Sequence, residues 1–109
     1  MTNEKQFEGR SVRRDVISIQ GRVNVDNSGE MRRTLNKALR SKPAEVTVDL
    51  SLVTYIDLSG LATLVEAARI ARQQGTRMIL GGLQGQARYL LEITRLDQLF
   101  EIDGGEASS

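Results

Sequence analysis

The feature that most constrains the fold is an apolar strand, an amphipathic helix and a second apolar strand in direct succession. Residues 45–50 are rich in β-branched side chains and predict a largely buried strand. Residues 57–75 predict a helix that ends at Gly75, and residues 77–80 predict the second strand. Segments of these lengths form a βαβ unit, whose strands are parallel and joined by a right-handed crossover.

The remaining elements extend this unit into one α/β domain over residues 1–109, with an ordered core over about 6–103 and a flexible tail over 104–109. We expect a mixed, mostly parallel sheet of four to five strands packed with about three helices. The further predicted elements are an edge strand over 7–14, a strand over 16–19, a turn-rich loop over 22–29, a helix that begins at Asp26, Asn27 or Ser28 and is stopped by Pro43, a helix over 84–94 and a strand over 101–103.

Composition argues against most catalytic chemistry. The chain has no cysteine and no histidine, so it supplies no thiolate and lacks the commonest general base and metal ligand. We therefore expect no enzymatic activity, no cofactor and no metal site. A net charge of +1 gives no electrostatic case for direct binding to nucleic acid or for insertion into a membrane. No signal peptide or apolar run of about 20 residues is present in the sequence, which predicts a cytoplasmic protein.

Two loops, over 21–28 and 51–60, follow predicted parallel strands, and ligands or partners tend to meet such loops. The second loop leads directly into a helix and carries Ser59. Ser59 is interpreted either as an ordinary N-cap or as a phosphoacceptor, because a helix N-terminus tolerates negative charge. Asp57 is a second candidate for the cap, or a group that orients the hydroxyl, and Gly60 allows a close backbone approach. Taken alone, these residues favour the cap, because serine caps are common.

The glycine-rich stretch over 81–85 does not match a phosphate-binding motif, since it lacks the lysine and hydroxyl residue of a P-loop. We interpret it as a strand-to-helix turn. A third hypothesis, a nucleotide or small-molecule binder, has no phosphate cradle or aromatic stacking pair in the sequence to support it.

Residues 55–61, which read Tyr-Ile-Asp-Leu-Ser-Gly-Leu, resemble the hallmark of the STAS domain, the family of bacterial anti-sigma factor antagonists. In that family a strand is followed by Asp-Ser-Ser-Gly-Leu or a close variant and then by a long helix. The resemblance extends over about residues 12–103. It includes the strand over 46–51, the helix end over 71–75 and a turn over 21–24 that is similar to the family's Gly-Glu-Leu-Asp. The first serine of the motif is replaced by Leu58, and Asn24 stands where the family often has aspartate.

The resemblance implies a function in partner switching. In this family the second motif serine is phosphorylated by an anti-sigma factor that is also a serine kinase, and the unphosphorylated form binds that partner and frees a sigma factor. On this chain the phosphoacceptor is Ser59, and a phosphatase is a possible further partner. The residues expected to contact the partner are Asn24, Asp26, Tyr55, Asp57, Leu58, Ser59, Gly60, Leu61 and Thr63.

The alternative is a STAS subunit that is not switched, in a lipid-transport ABC complex or a stress-signalling scaffold. In that case Ser59 only caps the helix. The family's additional C-terminal helix has no counterpart in the sequence. We expect a monomer or a weak homodimer, and the side of the long helix expected to be open to a partner or a second copy carries Thr63, Glu66, Ala67 and Ile70.

Overall fold

A computed structural model describes residues 13–103, which form four strands, three α-helices and one 3-10 helix. In chain order these are β1 (Arg14–Val23), α1 (Ser28–Arg40), β2 (Glu45–Ile56), α2 (Leu58–Gln74), β3 (Arg77–Gly81), α3 (Gly85–Ile93), the 3-10 helix (Leu96–Leu99) and β4 (Glu101–Asp103).

The strands form one sheet in the order β1-β2-β3-β4, and every pairing between described residues is parallel. The α/β fold and the βαβ unit around α2 are therefore confirmed. No antiparallel pairing occurs within residues 13–103, so the mixed part of the predicted sheet does not appear there. Most of the predicted edge strand over 7–14 lies outside the described residues, as does the predicted tail over 104–109.

The core lies between the sheet and the helices. Inward-facing residues of β2 alternate with half-buried ones, and each helix adds an apolar stripe. Leu64 of α2 is 0% exposed, and Val48 and Leu80 at the same level of neighbouring strands are equally buried. The core side chains of the helices are Met31, Leu35 and Leu39 of α1, Leu61, Leu64, Ala67 and Ala71 of α2, and Ala87 and Leu91 of α3.

The outward side of α2 was predicted wrongly in part. Thr63 and Ala67 are each only 2% exposed, whereas Glu66 is exposed and Ile70 is half-buried. The reason is that α1 packs along this side of α2, and the Arg32 guanidinium lies 3.2 Å from the Glu66 carboxylate and 3.5 Å from the Thr63 hydroxyl. This side of α2 is therefore mainly a contact between two helices.

Both strands that lead to the site are longer than predicted. The sequence predicts a loop over 51–60, but β2 continues through Ser51 and Thr54 to Ile56. Likewise β1 continues past Gly21, whose positive φ of 78° lies at a shift in register rather than in a terminal turn. The pairing of β1 with β2 overrides the turn-forming tendency of these residues. As a result Val23 pairs with Ile56, and the two strands end side by side beyond the end of β3.

Candidate functional site

Asp57 is the residue on which the site is built. It follows the last residue of β2 in an extended conformation (φ −101°, ψ −175°) and is the N-cap of α2. Its Oδ1 accepts hydrogen bonds from the backbone N–H of Gly60 at 3.0 Å and from the Ser59 hydroxyl at 2.6 Å. Ser59 is thus the second helical residue, and its hydroxyl donates to the cap instead of being the cap. The interpretation of Ser59 as the N-cap is wrong, and both roles considered for Asp57 are confirmed.

These hydrogen bonds favour the ionised form of Asp57. Its pKa is lowered, first by the Ser59 hydroxyl, next by the Gly60 N–H, and to a smaller extent by the backbone N–H groups of Ser59 and Val25. The carboxylate is therefore charged at neutral pH. Because the hydroxyl proton is directed at the carboxylate, the lone pairs of the half-buried Ser59 Oγ are not used in this bond.

Gly60 places the first turn of α2 directly on the ends of the strands. A Cβ atom at this position would lie 2.6 Å from Val23 Cγ1 and 2.8 Å from Ile56 Cγ1, closer than real Cβ contacts allow. The Asp57 N–H also donates to the Val23 carbonyl at 3.0 Å. These contacts leave little freedom in the position of Ser59 relative to β1.

The loop between β1 and α1 is shaped by Asn24. Its Oδ1 accepts from the Asp26 N–H at 2.9 Å, and its carbonyl accepts from the Ser28 N–H at 2.8 Å. Asn27 completes the turn by accepting from the Asn24 N–H at 2.9 Å. The half-buried Asn24 thus forms the turn, while Asp26 is exposed. Because this loop begins where β1 meets Asp57, and the Val25 N–H is close to the Asp57 carboxylate, the loop lies beside Asp57.

The structure separates the predicted contact residues into two groups. Leu58 is 65% exposed, Asp26 is exposed, and Asn24, Tyr55, Asp57 and Ser59 are partly accessible. Gly60, Leu61 and Thr63 are buried, so a partner docked on this surface would not touch them. Thr63 instead donates its hydroxyl to the Ser59 carbonyl at 3.0 Å. We correct the expected role of these three residues from contact to support of the first turn of α2.

Two features of the site were not found from the sequence. Val25 is 71% exposed and its backbone N–H is close to the Asp57 carboxylate, so the loop brings a second exposed apolar residue, besides Leu58, to the neighbourhood of Asp57. Isolated apolar residues in a loop are common, and nothing in the pattern distinguished Val25.

Gln86 of α3 is the second such feature. Its side-chain amide accepts from the Ile56 N–H at 2.8 Å and donates to the Ile56 carbonyl at 2.9 Å. Beyond Gly81, β3 no longer borders β2, and Gln86 supplies the two hydrogen bonds that a neighbouring strand would have made. Ile56 directly precedes Asp57, so α3 is attached to the strand end that carries the site.

On β1, Arg22 places its guanidinium carbon 4.5 Å from the centre of the Tyr55 ring, its partner in the sheet register. Tyr55 also lines an open groove together with Asp57, Leu58, Ser59, Gln86 and Leu90. The site is therefore an accessible surface in which a hydroxyl and a carboxylate lie among partly apolar neighbours. Small-molecule ligands are usually bound in pockets that enclose most of their surface, so this open site is better suited to a protein partner.

No helix within residues 13–103 is both long enough and apolar enough to cross a membrane.

The family model described as Mlab, STAS domain matches residues 7–101, so the chain belongs to the STAS domain family. Its relatives include anti-sigma-B factor antagonists of Listeria monocytogenes serovar 1/2a and Listeria innocua serovar 6a. Each is 28% identical over 90 residues, which is 83% of this chain and 79% of the relative.

Three solved structures share the fold. A candidate anti-sigma factor antagonist from Thermotoga maritima matches with a TM-score of 0.72 and 20% identity, over 80% of this chain and 77% of its own. The anti-sigma factor antagonist SpoIIAA in its unphosphorylated form matches with a TM-score of 0.62 and 15% identity, over 80% and 76%. A sulfate transporter family protein from Wolinella succinogenes matches with a TM-score of 0.67 and 18% identity, over 90% and 83%.

Proposed function

We propose that this protein is an anti-sigma factor antagonist that binds an anti-sigma factor with serine kinase activity and is switched off when that kinase phosphorylates Ser59. The observation that carries the proposal is the hydrogen bond of 2.6 Å from the Ser59 hydroxyl to Asp57, made at an accessible strand end. Asp57 rather than Ser59 caps α2, so the Ser59 hydroxyl is not needed as the capping acceptor. The antagonist names of the Listeria relatives support the same role.

The geometry supports a switch that acts through charge. A phosphate brings a charge of about −1.5 to −2 at neutral pH. On Ser59 it would replace a donor to the Asp57 carboxylate by a second anion, so the present hydrogen bond could not persist. The exposed apolar side chains of Val25 and Leu58 would then flank a doubly charged group. A partner surface that fits the neutral hydroxyl and these side chains would have to desolvate that charge, and each 1.4 kcal/mol of cost lowers affinity about tenfold.

The chain contains a matched control for this site. The sequence Asp-Leu-Ser occurs twice, ending in Ser59 and in Ser51. Ser51 is exposed within β2, and its backbone N–H donates to Asp49 Oδ1 at 2.9 Å. A kinase that recognises only the tripeptide sequence would phosphorylate both serines, whereas one that recognises the folded surface around Ser59 would phosphorylate Ser59 alone.

The experiment is to incubate the protein with the anti-sigma factor kinase of the same organism and ATP, and to locate phosphate by mass spectrometry. We expect phosphate on Ser59, none in the Ser59→Ala variant and unchanged incorporation in the Ser51→Ala variant. In a binding titration with the same partner, Ser59→Asp should bind at least tenfold more weakly than Ser59→Ala. Phosphate at another residue, or equal binding of the two variants, would refute the switch.

The further parts of the proposal follow from this cycle. A phosphatase would restore the binding form by removing phosphate from Ser59. We place the exchange in the cytoplasm and treat the protein as a binding module rather than an enzyme, acting as a monomer or a weak homodimer. It regulates sigma-factor-dependent transcription through its partner and not by contact with DNA.

A second candidate is the subunit without a switch, in a lipid-transport ABC complex or a stress-signalling scaffold. Two observations favour considering it: the matching family model carries the description Mlab, and the same fold occurs in a sulfate transporter family protein. Affinity purification from native cells distinguishes the candidates. Recovery of a permease and an ATPase without a kinase supports the subunit, and recovery of an anti-sigma factor that phosphorylates Ser59 supports the switch.

A further inference from the structure

The outer face of α3 is unlike an ordinary solvated helix surface. Tyr89 is 63% exposed and Ile93, one turn further on, is 57% exposed. With Gln86 and Leu90 they occupy one side of the helix, an arc of roughly 100° at 3.6 residues per turn. We call these four residues the α3 strip. The charged residues of α3, Arg88 and Glu92, lie on the other side and pair with each other at 3.4 Å.

The outer face of α1 provides the comparison. It carries exposed Arg33 and Lys37, which form no ion pair or side-chain hydrogen bond with any residue in 13–103. Such freely solvated cations are what a helix facing water normally presents. The α3 strip instead exposes one aromatic and one aliphatic side chain within a helix of 9 residues. Aromatic residues are enriched, and charged residues depleted, where proteins meet partners.

The α3 strip is continuous with the Ser59 site. Gln86 and Leu90 line the same groove as Leu58 and Ser59, and the Gln86 amide holds both backbone groups of Ile56. Leu58, itself 65% exposed, lies at the groove and bridges the two regions. A protein large enough to cover Ser59 would therefore also reach the strip. An interface of standard size takes up about 20–30 residues on each partner, more than the seven that line the Ser59 groove.

We propose that the α3 strip is the second half of the partner interface: an apolar segment of the protein that reads Ser59 packs against Tyr89 and Ile93. This inference rests on the proposed function. It divides the interface into a part that phosphorylation switches and a part that it does not, since no charge is added at the strip. Phosphorylation would then weaken the complex by acting at Ser59 while the contact through α3 persists, and the remaining affinity would come from that contact.

The test is a binding titration of the purified anti-sigma factor kinase with the full chain carrying Tyr89→Ala or Ile93→Ala. Both side chains are exposed, and alanine favours helix, so folding is expected to survive. Truncation of a central apolar anchor weakens binding about tenfold or more. We expect that loss for each variant, against less than about twofold for the matched controls Arg33→Ala and Lys37→Ala. Thermal unfolding of these four variants and of Ile93→Lys, a second change at the same position, shows whether each is folded. A variant that unfolds at the wild-type temperature but binds the kinase more weakly has lost the contact and not the fold.

The possible outcomes separate this inference from the proposed function. If Ser59→Asp weakens binding but the Tyr89→Ala and Ile93→Ala variants bind like the wild type, the strip is no interface and the switch stands. If the wild type does not bind the kinase, both proposals are overturned. If light scattering shows that the strip variants abolish a dimer of this chain and leave kinase binding unchanged, the strip contacts a second copy and our assignment is wrong. Residual binding of Ser59→Asp that disappears when Tyr89→Ala is added would support the divided interface.

Discussion

Replacing Gly60 by alanine should destabilise the domain, although the same change within a helix usually stabilises it. The added Cβ would lie 2.6 Å from Val23 Cγ1 and 2.8 Å from Ile56 Cγ1, about 1 Å short of the ~3.5 Å at which carbon atoms make favourable contact. Both neighbours are buried, at 3% and 1% exposure, and neither can move into solvent. The clash must therefore be relieved by moving α2 away from the strand ends.

The expected magnitude follows from two opposing terms. Overpacking in a filled core costs about 1–3 kcal/mol, and two Cβ contacts below 3.0 Å put Gly60→Ala in the upper part of that range, at about 2–3 kcal/mol. The gain in helix propensity from glycine to alanine returns about 1 kcal/mol. The net loss should be about 1–2 kcal/mol, which lowers the melting temperature of a domain of this size by roughly 4–15 °C. Because Gly60 donates its N–H to the Asp57 carboxylate, the same shift should also disturb the position of Ser59.

The assay is thermal and urea unfolding of the Gly60→Ala variant beside Gly29→Ala. Gly29 lies in the first turn of α1, and a Cβ there would meet only the end of the Arg33 side chain, at 3.9 Å. Its replacement should leave stability unchanged or raise it by up to ~1 kcal/mol. If Gly60→Ala were as stable as Gly29→Ala, the close approach of α2 to the strand ends would not exist in solution.

Three further predictions concern the surroundings of the site. In Ser59→Ala the pKa of Asp57 should rise toward its usual value, since the Ser59 hydroxyl is the largest cause of its lowering. The pKa of Asp49, which is lowered by hydrogen bonds from Ser51, should not change in this variant and serves as the control. NMR of the side-chain carboxyl carbons measures both pKa values. Because the pKa of Asp57 is lowered by folding, the unfolded chain binds more protons than the folded one as the pH falls. The stabilising contribution of the Asp57 carboxylate is therefore complete above about pH 4 and is lost as the pH falls through the folded-state pKa. The urea midpoint of Asp57→Asn should accordingly fall less than that of the wild type between about pH 5 and 2. Gln86→Ala should cost about 1–3 kcal/mol in urea unfolding, because it leaves two partly buried backbone groups at the end of β2 without partners, and a variant as stable as wild type would show that water replaces the amide.

Much of the fold could be predicted because it depends on local patterns. The apolar periodicity over 57–75, the stop at Gly75 and the β-branched residues over 45–50 identified the βαβ unit, and the observed α2 differs by one residue at each end. Gly75 is in the left-handed conformation (φ 80°) that ends such helices and that favours glycine. Local patterns gave the wrong end for β2, because pairing with β1 sets where this strand ends. β2 runs six residues beyond its predicted end, since β1 pairs with it as far as Ile56.

The two Asp-Leu-Ser tripeptides show which properties of the site could be predicted from the sequence and which could not. By itself the sequence determined that a hydroxyl and a carboxylate two residues apart precede a helix, and the family motif identified Ser59 rather than Ser51 as the candidate. It did not determine which of Asp57 and Ser59 caps α2, since both residue types are good caps. Only the tertiary structure decided this, because the bond from the Asp57 N–H to the Val23 carbonyl holds the aspartate at the strand end and turns its carboxylate toward the first turn of α2. The contacts of Val25 and Gln86 with the site come from the loop after β1 and from α3, which no local pattern around Ser59 encodes.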